Sequence, residues 1–253
     1  MIGFLFFLII VLLGVYSYRK TITKKRTPVP NNLHELLMSH VLFYQKLKDE
    51  DKLLFRDKIT IFLSKTYIET IEFKRQDIDI VLVAASAIIP VFYFKDWHYS
   101  NLSSVIIYPN NFSEDLNFIE GNRNIGGLVG TGRFKNQMIL SRRALHHGFA
   151  NKTDKGNTGI HEFIHLIDKM DGDTDGIPKL LLSNTYLIPW LNLIHKEIEH
   201  INNNESDIRA YGGTNQQEFF AVVSEYFFER PDLLKEKHPD LYKMMEMCFC
   251  KQN

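Results

Sequence analysis

The pentapeptide His161-Glu162-Phe163-Ile164-His165 restricts this chain more tightly than any other stretch. Asn157-Thr158-Gly159 precedes an apolar-patterned run, which predicts a helix over residues 160–170 with Asn157 or Thr158 as its cap. Side chains four residues apart on a helix lie one above the other on one face, so both imidazoles can reach a single metal ion. Glu162 falls beside the first histidine, where its carboxylate can reach a water on the metal and not the metal itself. A helix with two partly exposed histidines and a surface glutamate would spell the same letters. The helical context and the apolar flanks favour the zinc reading.

A catalytic zinc takes three protein ligands and leaves a position for water. Two residues compete for the third place. Asp171 stands six residues after His165, but the glycine that would turn the backbone toward the metal is replaced by Asp168. Glu218 lies in Gln216-Gln217-Glu218-Phe219-Phe220-Ala221, a helix start capped by Thr214 or Asn215 and too apolar to be exposed. A carboxylate buried there needs a cation, although a glutamate in a first helical turn is also stabilised by the helix dipole. Asp168 and Glu225 could each orient a ligand histidine through its free nitrogen. Tyr211 precedes the Glu218 helix in a loop, where a phenol either packs or donates to a developing oxyanion.

The remainder of the chain supplies scaffold. With 253 residues and 45 % hydrophobic content it can bury one sizeable core. Thirty basic and thirty acidic residues give zero formal net charge, so no field suited to nucleic acid stands out. Cys248 and Cys250, one residue apart, suit neither a disulfide nor a zinc knuckle and fit a reducing compartment. Helical patterns run over Leu33–Leu47 and Asp49–Lys65, the latter with Leu53, Leu54, Ile61 and Phe62 on a stripe, and a buried helix within residues 79–94 stops at Pro90. Val105–Tyr108 and Gln137–Ser141 read as strands, and the glycine-rich Gly126–Arg133 as a bent strand pair and loop lacking a phosphate-loop ending.

Residues 1–18 carry no charge and are followed by Arg19, Lys20, Lys24, Lys25 and Arg26. That order predicts an uncleaved transmembrane anchor, with residues 19–32 as a basic, proline-containing linker and a catalytic domain over 33–253 facing the cytoplasm of a bacterial inner membrane.

The histidine pentapeptide, Ala210-Tyr211, and the run from Gln217 to Phe228 together resemble the Mlc titration factor A family of zinc peptidases; Val105–Pro109 and Met138–Ser141 are similar to its upstream strands. The resemblance spans residues 33–245. It implies an α+β, mainly helical, gluzincin-like core with a small sheet, one Zn²⁺ held by His161, His165 and Glu218, Glu162 as general base, and Tyr211 assisting catalysis. The substrate it implies is a peptide or protein, cut as an aminopeptidase or endopeptidase. Its alternative is a zinc-containing protein that sequesters a regulatory partner such as a transcriptional repressor, with weak or no hydrolysis.

Overall fold

The computed structural model describes residues 26–113, 125–130, 134–151 and 153–250. The expected anchor over residues 1–18 lies outside them. No helix among the described residues is long and apolar enough to cross a membrane. The longest, Asp49–Lys65, has 17 residues and is dotted with charge. The expectation of a single-pass membrane protein with a cytoplasm-facing domain is therefore withdrawn.

Helices dominate, as expected for a mainly helical α+β chain. The first described elements are α1 (Leu33–His40), α2 (Leu42–Gln45), α3 (Asp49–Lys65), β1 (Tyr67–Thr70) and α4 (Asp77–Ile88). Then come β2 (Ser104–Tyr108), β3 (Gly127–Val129), β4 (Gln137–Ser141), α5 (Arg142–Ala150) and α6 (Thr158–Asp168). The chain closes with α7 (Leu187–Asn202), α8 (Gln216–Glu229), α9 (Pro231–Lys237) and α10 (Pro239–Phe249). The strands lie in the order β1-β2-β4-β3; β1, β2 and β4 run parallel, and β3 is antiparallel to β4.

Two helical expectations need correction. The predicted helix over Leu33–Leu47 breaks at Val41, whose extended backbone (φ −113°, ψ 97°) takes a fully buried side chain into the core and restarts the helix at a new angle. In α3 the buried face is Phe55, Ile59, Phe62 and Leu63, whereas Leu53, Leu54 and Ile61 stand exposed. The apolar stripe is thus wider than the face that the core covers.

The central helix α4 begins on a capping box: Asp79 Oδ2 accepts from the Gln76 backbone N–H at 2.9 Å while the Gln76 side chain accepts in return. Burial works against ionising Asp79, but hydrogen bonds from His146 and Arg142, both on α5, outweigh it and hold its carboxyl below the usual range. Pro90 ends α4 in a single 3₁₀ turn, Ile89–Val91. Packed against α4 is α6, close enough that a Cβ on Gly159 would lie 2.2 Å from Ser86 Oγ. The second partner of α6 is α8. These two helices carry the site.

The loop between α7 and α8 is fastened by Asp207. Its carboxylate takes Lys155 Nζ at 2.5 Å, His238 Nε2 at 2.7 Å, and Lys237 Nζ and the Tyr226 hydroxyl each at 3.0 Å. Although partial burial favours the neutral acid, these donors dominate and hold the Asp207 pKa far below its ordinary value near 3.9. A carboxyl depressed on folding contributes stability above its unfolded pKa and loses it as pH falls toward the folded one. Asp207→Asn should therefore lower the urea midpoint at pH 7, and its deficit against the parent should shrink between about pH 5 and pH 3. A deficit that stays constant over that interval would show that the carboxylate charge contributes nothing.

Candidate metal centre

Asn157 explains how α6 is aimed. Its side-chain oxygen caps the helix by accepting from Ile160 N–H at 3.2 Å, and its side-chain amide donates to Glu229 Oε1 of α8 at 2.9 Å. Of the two cap candidates it is Asn157 that acts, tying the start of α6 to α8. Asn215 does the same for α8, accepting from Glu218 N–H at 2.9 Å.

These two helix starts bring three ligand atoms together. His161 Nε2 lies 3.0 Å from His165 Nε2 and 3.1 Å from Glu218 Oε2, and His165 Nε2 lies 3.4 Å from the same oxygen. Among the described residues, this is the group of histidine, cysteine and carboxylate side chains that could hold a metal ion. Ligands at about 2.05 Å around a tetrahedral ion stand about 3.3 Å apart, so the observed separations fit such a centre. Two imidazole nitrogens facing each other at 3.0 Å beside a carboxylate are also a donor set in need of a cation. Asp171, the competing third ligand, sits in the 3₁₀ turn Lys169–Asp171 and is not in the group.

The other nitrogen of His161 is fixed from behind. Nδ1–H donates to Glu225 Oε1 at 2.7 Å, leaving Nε2 toward the cluster. The Glu225 side chain is 1 % exposed and takes two further donors, the Arg209 guanidinium on Oε1 and the Asn157 backbone N–H on Oε2. Arg209 is the positioning residue that sequence reasoning missed. Burial would lower the His161 pKa, but Glu225, then Glu218, raise it to about 10. Burial likewise opposes a charge on Glu218, yet hydrogen bonds from both histidines hold its carboxyl well below the usual range. Asp168, the other candidate orienter, instead accepts from Gly176 N–H at 2.9 Å and steadies the turn after α6.

Glu162 and Tyr211 complete the neighbourhood. Glu162 is 6 % exposed; burial pushes its pKa up, and the two histidines pull it partly back. Its carboxyl lies over the backbone of Gly127 in β3, so near that a Cβ at position 127 would fall 2.5 Å from Glu162 Cγ and 2.6 Å from Oε1. The Tyr211 ring is 5.9 Å from the His161 ring, centroid to centroid, and is 53 % exposed. Its pKa is pushed up to about 12, first by partial burial and then by the Glu218 carboxylate, so the phenol remains a donor at neutral pH. The loop holding it is the one fastened through Asp207.

Comparison with known proteins agrees with this geometry. The chain is 29 % identical over 235 residues to an uncharacterized protein of Synechocystis sp., covering 88 % of this chain and 85 % of that one. It is 30 % identical over 161 residues to Mlc titration factor A of Escherichia coli, and 29 % identical over 157 residues to the protein of that name from Pectobacterium atrosepticum. Each of these two matches spans 58 % of this chain and 57 % of the relative's length. Residues 16–250 match the family described as glucose-regulated metallo-peptidase M90. With a His-His-Glu cluster shared between α6 and α8 and this family extending over nearly its whole length, the chain belongs to the M90 metallopeptidases, the family of Mlc titration factor A.

Proposed function

We propose that this protein is a zinc peptidase in which His161, His165 and Glu218 hold the ion, Glu162 is the general base and Tyr211 an oxyanion donor. The observation that carries the reading is the separation of roles in space. Three ligand atoms converge, and a second acid, Glu162, stands buried on α6 next to His161 without joining the cluster. A zinc ion so held would supply Lewis acidity and lower the pKa of water.

Glu162 takes the proton of the water that attacks the scissile carbonyl and delivers it to the leaving amine. Burial raises its pKa above the ordinary glutamate value, the direction that favours holding the proton between the two transfers. The Tyr211 hydroxyl, protonated at neutral pH, donates to the oxygen that becomes negative as the carbonyl is attacked. Glu225 and Arg209 keep the His161 ring from turning. Substrate orientation falls to β3, the last strand in the sheet order, whose Gly127 backbone lies against Glu162. An extended peptide adding to that strand would present a carbonyl to the carboxylate.

The relatives' name, Mlc titration factor A, motivates a second reading in which the domain acts by binding a regulatory protein. One assay separates the two. The purified protein is analysed for metal and offered a peptide library: about one zinc per chain, with cleavage lost on chelation and restored by zinc, is expected. A zinc-loaded protein that cleaves no member of the library would leave binding as the function.

A further inference from the structure

We propose that the cavity between α3 and the segment Val91–Tyr99 is a binding site for a small anionic amphiphile, a carboxylate on an aliphatic body. This stands whether or not the metal centre is catalytic. The cavity encloses about 390 Å³, within the range of about 300–1,000 Å³ typical of small-molecule sites. None of its lining residues belongs to the His-His-Glu cluster.

Its chemistry is apolar at the floor and cationic at the rim. Lys58, Ile61, Phe62 and Lys65 are spaced so that they share one face of α3, two hydrophobic side chains between two lysines. Lys95 stands on the opposite wall, and Asp96 is the sole acid among the lining residues. Lys58 Nζ already donates to the Phe94 carbonyl, so the ammonium groups of Lys65 and Lys95 stand against one carboxylate around a greasy strip that includes Ile61, a residue left 51 % exposed. An aliphatic chain would cover Ile61 and Phe62 while its acid met the lysines, whose stems pack along apolar surface and leave their heads at the edge. Trp97 adds a second indication. The residue lines the cavity, and its Nε1–H, closed off from solvent, has no hydrogen-bond partner, a donor lacking the acceptor that buried indoles normally find.

The cavity also backs onto the metal helix. The rings of Phe62 and Tyr99 lie 5.8 Å and 5.1 Å from that of Phe163, which sits between the two histidines in sequence. A ligand on this floor touches the residues that support α6 from its reverse side.

Trp97 provides the test. The chain has two tryptophans, and Trp190 is fully buried elsewhere with its Nε1–H donating to Gly176 O at 2.8 Å. The full protein is titrated with decanoate below its micelle concentration while tryptophan fluorescence is followed, with decanol and decylammonium as comparators. A saturable response is expected, half-complete at a concentration at least about tenfold lower for decanoate than for either comparator, a difference of roughly 1.4 kcal/mol. It should disappear in Trp97→Phe and weaken about tenfold in a Lys65→Glu/Lys95→Glu double variant, whose exposed positions leave the fold unaffected. The assignment is overturned if decanol binds as well as decanoate, if the charge-reversed protein binds unchanged, or if the response survives without Trp97. Absence of any saturable response to decanoate overturns it equally.

Discussion

Glu162→Gln should retain zinc and fold yet lose peptide hydrolysis by about 10²–10⁴ in kcat, the range for removing a general base. Glutamine is nearly isosteric with glutamate, so the tight fit over Gly127 is kept while the proton acceptor is lost. The substitution also removes a buried acid whose pKa is already raised, so the folded state gives up little on losing that charge. Tyr211→Phe, measured on the same fluorogenic peptide, should slow turnover by less than the 10²–10³ known for a buried oxyanion donor, because this phenol is half exposed. Its defect should lie in kcat and not in KM. Unchanged hydrolysis by zinc-loaded Glu162→Gln would refute the base assignment, and partner binding that persists in the inactive variant would identify a separate binding function.

The second large effect is expected from Glu218→Ala, which should lower zinc affinity by well over 100-fold. Outer partners of metal ligands typically contribute about 10–100-fold, and a ligand contributes more. Glu218 Oε2 stands 3.1 Å and 3.4 Å from the two imidazole nitrogens, so its loss opens a whole side of the cluster and removes its negative charge. Asp171→Ala, on the turn beyond α6, should leave zinc occupancy unchanged. Competition against a chromophoric chelator measures both affinities. A zinc-replete Glu218→Ala beside a metal-free Asp171→Ala would reverse the assignment.

What could be read from sequence was local. The pentapeptide, its apolar flanks and Asn157 mark α6 because spacing and cap chemistry act within one helical turn. The Glu218 helix was visible for the same reason, since a carboxylate in an apolar first turn calls for a partner. Glu225 emerged only as one of two equal candidates; it was three-dimensional packing that gave it His161 and left Asp168 to a backbone amide. Arg209 carried no signal at all, because its ion pair with Glu225 depends on how a loop crosses a helix 16 residues later. The parallel order of β1, β2 and β4 was equally hidden, as short β-branched runs declare a strand without declaring its neighbour. The membrane expectation failed differently: it rested on the uncharged residues 1–18 and the basic residues that follow them, and nothing in the described helices supports it.

Gly127 gives the centre a steric dial separate from its chemistry. The space over its Cα is filled by the Glu162 side chain, so the carboxylate's position is set partly by a group that is missing. The atoms a new Cβ would strike belong to a flexible side chain and not to backbone, so an alanine there would evict the acid more readily than it would unfold the strand. A change at a residue with nothing to donate, accept or ligate would then act as a catalytic lesion. Screens that look only for reactive side chains would pass over it, while graded substitutions at this one position would measure how far the carboxylate can move before hydrolysis stops.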